Sequence, residues 1–406
     1  MLNLINSSKI NTNSKVEDVN YYWDKILSRK QGFTDLPKQA QITFKLKEFV
    51  DNSVIKYEHI VILGIGGSML GPKCILDCLH KSNSSLKVHY LDNIDPSKIA
   101  HVESLLNYEK TIFLVQTKSG QTPETVAQYA YFRAKIDNFG LNASDHFVFV
   151  TDPSKGYLRT VADSENIPSF EIPENVGGRF SVLTPVGLLV SVMVGLDVEN
   201  LLLGAQVVLE NKLNQAFELA VIQHQLLREG QGINVIMPYS SRLKTFAEWS
   251  VQLISESLGK EFDLDGNLVN TGITPLPAVG ATDQHSQLQL FTEGPNDKLI
   301  IFIKPKDYGV KLQIPDIQEQ SLSYLNNHSF DQLLDAEFDG VQQALTERSR
   351  PNVTIEIDQV NEYSLGELFM FFELATAFVG EMLNIDTFNQ PGVERSKILT
   401  KENLLN

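Results

Sequence analysis

The sequence predicts an α/β protein with two sub-domains, each a parallel sheet sandwiched between helices in a doubly wound, three-layer αβα arrangement. Three observations lead there. Short apolar runs of strand length alternate with segments of helical periodicity. Glycine-rich and hydroxyl-rich turns follow the apolar runs, at the ends where an open parallel sheet binds ligands. The 406 residues are 42% apolar and 21% charged, which suits two or three buried cores and excludes a disordered or fibrous chain.

The first fifty residues are polar and irregular, then helical over 16–28 and 39–51. His59-Ile60-Val61-Ile62-Leu63 reads as a buried strand stopped by Gly64. Further strands are predicted over 86–92, 110–116 and 146–150, with amphipathic helices over 70–79, 96–106 and 123–136 between them. The run 186–196 is too short to span a membrane and reads as a buried helix. A second set follows: helix over 201–227, strand 234–237, helix 242–258, strands 299–303 and 353–357, and a long apolar helix over 364–383. The expected organisation is a helical N-terminal segment (1–56), a first sub-domain (57–195), a second (196–385) and a tail (386–406).

Lys and Arg number 34 against 50 Asp and Glu, a net charge of −16. A nucleic-acid binder needs a basic stripe, so that class is excluded. The N-terminus lacks a basic region followed by an apolar run, and no stretch reaches membrane-spanning length. Cys74 and Cys78 lie four apart in an apolar stretch and read as core filling, without sign of an oxidising compartment. A soluble, cytoplasmic protein is expected.

Six segments bear on chemistry. Gly64-Ile65-Gly66-Gly67-Ser68-Met69-Leu70-Gly71-Pro72 follows the first strong strand and suits a phosphate-sized nest. Met69 replaces the third glycine of a dinucleotide fingerprint, and the ending Gly71-Pro72-Lys73 is not that of a P-loop. Taken alone it is equally a glycine-rich turn. Thr117-Lys118-Ser119-Gly120-Gln121-Thr122-Pro123 places hydroxyls and a lysine at a helix start. Capping by Ser119 or Thr122 explains one hydroxyl and leaves the others for an anion.

Asn175-Val176-Gly177-Gly178-Arg179-Phe180-Ser181 offers a guanidinium for an anion, with a surface arginine as the default. In the helix over 242–258, Gln252 and Glu256 stand four apart on one face. Glu256 lies near the helix C-terminus, where the dipole disfavours a carboxylate and favours a general base; a solvated surface glutamate competes. Gly280-Ala281-Thr282-Asp283-Gln284-His285 reads as a helix start, with Asp283 as cap and His285 in a first turn whose dipole lowers a histidine's pKa. In the tail, Gln390 and Lys397 flank Pro391-Gly392. No segment has metal-ligand spacing, a Gly-x-Ser-x-Gly elbow is absent, and neither cysteine is beside a histidine.

Together, in this order and over residues 64–397, the six segments resemble the glucose-6-phosphate isomerase (phosphoglucose isomerase) family. The most specific are Gly-Gly-Arg-Phe-Ser, the Gln-x-x-x-Glu-Ser-x-Gly-Lys helix and Gln-x-Gly-Val-Glu-x-x-Lys. The resemblance implies paired sugar-isomerase (SIS) domains and reversible conversion of glucose 6-phosphate to fructose 6-phosphate without cofactor or metal. By resemblance, Ser68, Thr117, Ser119 and Thr122 hold the phosphate, with Lys118 in the same loop. Glu256 moves the proton between C1 and C2, and Arg179 stabilises the cis-enediolate. His285 and Lys397 open and close the ring. Gln252 and Gln390 contact substrate through amides, Gly67 and Gly178 through backbone. The family also implies a homodimer, with His285 contributed across the interface.

Thr117 replaces a common serine, and Gly120 and Gln121 stand where longer forms carry bulkier or hydroxylated residues. Two further readings stay open: a non-catalytic sugar-phosphate sensor, which has no use for Glu256, Arg179, His285 and Lys397 together, and a dual phosphoglucose/phosphomannose isomerase.

Overall fold

The structure, a computed structural model, describes residues 1–10, 16–53, 56–79 and 86–405. The chain divides into two compact units, one of Met1–Arg29 with Val207–Asn406 and one of Lys30–Gln206. The expected N-terminal segment 1–56 is therefore shared between both units, for reasons that lie in its pairing.

In chain order the first elements are β1 (Asn3–Ile5), α1 (Val16–Ser28) and α2 (Ala40–Ser53). Then come β2 (His59–Leu63), α3 (Gly67–Leu79), β3 (Lys87–Leu91), α4 (Pro96–Ser104), β4 (Thr111–Thr117), α5 (Pro123–Asn138), α6 (Ala143–His146) and β5 (Phe147–Thr151). Next are α7 (Tyr157–Glu165), β6 (Ser169–Glu171), α8 (Pro185–Met193), α9 (Val198–Asn211), α10 (Leu213–Arg228), β7 (Ile233–Pro238) and α11 (Lys244–Leu258). The chain finishes with β8 (Lys260–Phe262), β9 (Leu268–Thr271), β10 (Thr274–Pro277), α12 (Leu288–Glu293), β11 (Lys298–Asp307), α13 (Phe330–Glu347), β12 (Asn352–Gln359), α14 (Glu362–Met382) and α15 (Glu394–Leu405).

In the unit Lys30–Gln206, five parallel strands run in the order β3-β2-β4-β5-β6. Val61, Leu63, Phe113, Val115, Phe147 and Phe149 pack with Tyr129, Phe132 and Ile136 of α5. The alternate residues Ile60, Ile62, Ile112, Leu114, Val148 and Val150 are equally buried, so both faces are covered, as wholly apolar strands require. Helix starts are set locally. Asp95 caps α4 through the Ser97 N–H with Pro96 at the first position.

The other unit has the order β1-β12-β11-β7-β10, parallel except for β1. β1 pairs antiparallel with β12, and α1 packs on α14, which draws the first residues into the unit built by the last two hundred. One face of the sheet meets Phe338, Val341 and Leu345 of α13. α10 and α11 pack on α14. Trp249 meets Phe369 edge-on at 4.8 Å, and Phe246 meets Phe372 at 5.2 Å.

Residues Ser364 to Glu381 of α14 are all buried, including three glutamates. Glu367 accepts the Leu2 N–H at 3.0 Å, which anchors β1. Glu381 accepts a forked pair from Arg29 at 2.7 and 3.0 Å. Glu373 has no partner for either oxygen, and burial pushes its pKa well up.

The expected helix over 201–227 is broken at Lys212 into α9 and α10. No helix of the described residues is long and apolar enough to cross a membrane.

Candidate active site

In the unit Lys30–Gln206 the chain leaves β2 for β3 on one side and returns to β4 on the other. The loops after β2 and β4 therefore part at the carboxyl edge of adjacent strands, the switch point where open sheets bind ligands. These are the two loops the sequence singled out.

Thr117 ends β4 and is 3% exposed. Its Oγ1 lies 2.6 Å from Thr122 Oγ1 and 3.4 Å from Ser119 Oγ, while Ser119 and Thr122 are 3.4 Å apart. Thr122 occupies the N-cap position of α5, yet its side chain makes no cap bond. The hydroxyls face each other in front of a 16-residue helix whose N-terminal N–H groups and dipole favour an anion. Gly156, at φ +96°, supports this loop, because a Cβ there would lie 2.3 Å from the Ser119 carbonyl oxygen. Asp152 fixes the turn before it by accepting the N–H groups of Ser154 and Lys155, each at 2.9 Å.

Ser68 is the second residue of α3 and is half-buried. A Cβ on Gly64 would approach Ser68 O at 3.0 Å and Gln116 O at 3.3 Å, so the β2 loop lies against the end of β4. Gly67 is tighter: its Cβ would meet Gly178 O at 2.2 Å and Arg179 N at 2.9 Å. Only glycine lets α3 touch the 3-10 turn Gly178–Phe180. Arg179 is 3% exposed, with its guanidinium 5.6 Å from the Phe180 ring centre, so the surface-arginine alternative does not hold.

The Lys118 ammonium donates to the carbonyls of Glu174 and Val176 at 2.9 and 2.8 Å. Burial pushes its pKa down, against the pull of Asp152 and Glu174. Nearby, both side-chain polar atoms of Gln116 and the hydroxyls of Thr125 and Thr151 are buried without a protein partner. Such groups cost about 1–3 kcal/mol each unless a water or ligand meets them.

The remaining residues lie on the other unit. Gln252 Nε2 donates to Glu256 Oε1 at 3.0 Å, the one-face pairing that the spacing predicts. Both project from α11, whose opposite stripe of Phe246, Trp249, Leu253 and Ile254 is buried. Lys260 Nζ donates to the carbonyls of Glu256 and Ser257 at 2.6 and 2.9 Å, satisfying the end of that helix. Glu256 is thus a partly exposed carboxylate on a rigid support.

The expected helix start at Asp283 is instead a 3-10 turn, Thr282–His285, with Asp283 inside it; α12 begins only at Leu288. The physical reason is the Asp283 carboxylate. It accepts the Val279 N–H at 2.7 Å and the Ser286 hydroxyl at 2.6 Å, closing a loop around exposed His285 instead of capping a helix. Gln284 donates to Tyr239 Oη at 2.8 Å on the same loop. Gln390 precedes the 3-10 turn Pro391–Val393 and is exposed. Lys397 lies on α15, which buries no residue; its ammonium donates to Glu394 at 2.7 Å and its side chain is 59% exposed. Among the described residues no group of three or more His, Cys, Asp or Glu is placed to hold a metal.

Sequence reasoning missed Gly156 and Asp152, although Asp152-Pro153-Ser154 is a turn signal. It also missed the carbonyl partners of Lys118, which no local pattern announces.

Two α/β units, each a largely parallel sheet between helices, give the chain the fold of the sugar-isomerase (SIS) proteins. The family profile of phosphoglucose isomerase matches residues 25–405, and the chain belongs to that family. A glucose-6-phosphate isomerase of Carboxydothermus hydrogenoformans is 41% identical over 363 residues, covering 85% of this chain and 78% of its own. A solved structure described as a hypothetical protein from Thermus thermophilus superposes with TM-score 0.89 at 33% identity over 100% of both chains. A glucose-6-phosphate isomerase from Chlamydia trachomatis superposes at TM-score 0.79 and 23% identity, covering 98% of this chain and 77% of that one, a likeness of fold.

Proposed function

We propose that this chain interconverts D-glucose 6-phosphate and D-fructose 6-phosphate by passing one proton between C1 and C2 through a cis-enediolate. The observation that carries the reading is Glu256, held by Gln252 on a rigid helix in a chain of this family. A single carboxylate can take the proton from one carbon and return it to the next, a task worth about 10²–10⁴-fold. A fixed cation where the enediolate oxygen gathers charge often contributes more still, and Arg179 is the residue for it.

The phosphate is held by the hydroxyls of Ser68, Thr117, Ser119 and Thr122 and by the start of α5, with backbone contacts at Gly67 and Gly178. Gln252 and Gln390 contact the sugar. His285 and Lys397 exchange protons with the ring oxygen and the anomeric hydroxyl. The chain works as a homodimer with His285 serving the partner's substrate. Exposed Phe262, Leu264, Leu268 and Val269 on the β8–β9 hairpin support an apolar association surface. A cytoplasmic setting is supported by Cys74 and Cys78, buried thiols 4.0 Å apart that are not joined in a disulfide.

The test is a coupled assay of fructose 6-phosphate conversion by wild type and Glu256→Gln. The variant is expected to lose about 10²–10⁴-fold in kcat. Turnover close to wild type removes Glu256 from the base role.

A further inference from the structure

We propose that Lys118 is a positioning residue: its ammonium ties the loop after β4 to the segment 174–176, thereby setting Arg179, and is not a ligand of the substrate phosphate. The inference rests on the functional reading above, in which this loop holds phosphate and Arg179 faces the enediolate.

The geometry is specific. A lysine ammonium has three N–H donors, and two are engaged by Glu174 O at 2.9 Å and Val176 O at 2.8 Å. Both carbonyls belong to the short stretch leading into Gly177. That stretch turns through Val176 N–H to Pro173 O at 3.0 Å, Phe180 N–H to Gly177 O at 3.0 Å and Ser181 N–H to Gly178 O at 3.2 Å. From its other side the turn is held by Gly67, whose hydrogen is the only substituent that Gly178 O permits. Arg179 is therefore braced twice, by α3 through a contact and by the phosphate loop through a lysine strut.

At its own end the strut is also fixed. Lys118 follows Thr117 and precedes Ser119, and its carbonyl accepts the Asp152 N–H at 3.2 Å. Drawing the ammonium away toward a phosphate breaks two charge-assisted bonds, each worth about tenfold or more in population. The hydroxyls beside it reach the anion by turning their O–H bonds from one another, without loosening a tie to another segment. Phosphate binding and guanidinium placement are thus joined by one side chain. A phosphate that orders the loop orders the group that stabilises the enediolate.

Lys118→Met removes the donors and keeps an unbranched side chain. Three quantities decide the matter in this variant: kcat for fructose 6-phosphate, the competitive inhibition constant of inorganic phosphate, and hydrogen exchange at the Phe180 and Ser181 amides. The expected result is a fall in kcat of about 10²-fold, as for a catalytic group displaced by an ångström. The phosphate inhibition constant stays within about threefold, because no phosphate ligand is lost. Exchange at the two amides accelerates. Lys118→Arg, which keeps donors at the end of the side chain, recovers most of kcat.

A phosphate inhibition constant weakened about tenfold or more, with kcat near wild type, overturns the proposal. Should Lys118→Met be recovered only unfolded, Lys118→Gln, neutral but still an N–H donor, is read by the same three quantities. If the wild type does not isomerise fructose 6-phosphate, the functional reading fails. The exchange measurement then still decides the strut, and unchanged protection at Phe180 and Ser181 removes it.

Discussion

The Oγ1 atoms of Thr117 and Thr122 lie 2.6 Å apart and join the last residue of β4 to the residue that starts α5. A hydroxyl in that place normally caps its own helix. Here it is spent on Thr117, so the first N–H groups of α5 are left without that cap.

Thr122→Val keeps the shape and removes the hydroxyl. The KM for fructose 6-phosphate is expected to rise about tenfold with kcat little changed, since the lost contact serves ground state and transition state alike. Steady-state kinetics of the purified variant check this. An unchanged KM would falsify a phosphate role for the trio.

Asp283 brackets His285 by accepting from Val279 and Ser286. Asp283→Ala releases that loop and is expected to slow cyclic fructose 6-phosphate by about 10–10²-fold. An open-chain aldose analogue, which needs no ring opening, should be slowed far less. Parallel measurements on both substrates, with His285→Gln as reference, settle the point; equal losses on the two substrates count against a ring-opening histidine.

Glu373 and Glu381 sit two turns apart on α14 with opposite circumstances. Glu381 is paired with Arg29, whereas Glu373 has no partner. Glu373→Met should therefore stabilise, by about 1–3 kcal/mol, and Glu381→Met should destabilise by a similar amount. Because the folded-state pKa of Glu373 is raised, its penalty grows as pH climbs above the ordinary carboxylate range. The gain in melting temperature from Glu373→Met should thus be larger at pH 8 than at pH 5, each kcal/mol of difference moving it by about 2 °C. A gain that shrinks at high pH contradicts a buried acid.

His59 and His89 lie on adjacent strands with Nδ1 and Nε2 2.9 Å apart and rings stacked at 5.2 Å. One shared proton suits this contact and two charges do not. Burial pushes both pKa values down, with Lys87 adding to it at each, His59 and His101 adding at His89, and Glu58 opposing at His59. The folded state thus binds fewer protons than the unfolded one as pH falls below about 6.5, so stability drops there and is kept above it. Urea midpoints between pH 7.5 and 5 should fall more steeply for wild type than for His89→Gln. Parallel curves would mean that the pair does not titrate within that window.

Much of the fold was legible because the parallel strands are apolar on both faces. β2 falls at His59–Leu63 as the run predicts, and the strands around it shift by a residue or so at each end. What escaped was carried by contacts distant in sequence or masked by composition. β10 contains Pro275 and Pro277, tolerated because it is an edge strand, and proline argues against a strand when read alone. β1 has three residues and exists through β12. α13 was legible and missed: Ser329 and Gln332 form a capping box before an amphipathic run. For the candidate site, hydroxyl content singled out the loop after β4, whose hydroxyls do cluster, and the i, i+4 spacing placed Gln252 with Glu256. The Lys118 partners and the reason for Gly67 were hidden, since each is set by a segment more than fifty residues away.

The pairing of β1 with β12 has a consequence for synthesis on the ribosome. Lys30–Gln206 is a continuous stretch that carries its own sheet and core. Leu2, Leu4 and Ile26 instead find their places in a unit whose last strand ends at Gln359. At translation rates of about 5–20 residues per second, the N-terminal segment waits roughly 20–70 s for its partner. During that interval its apolar side chains are without their burial site.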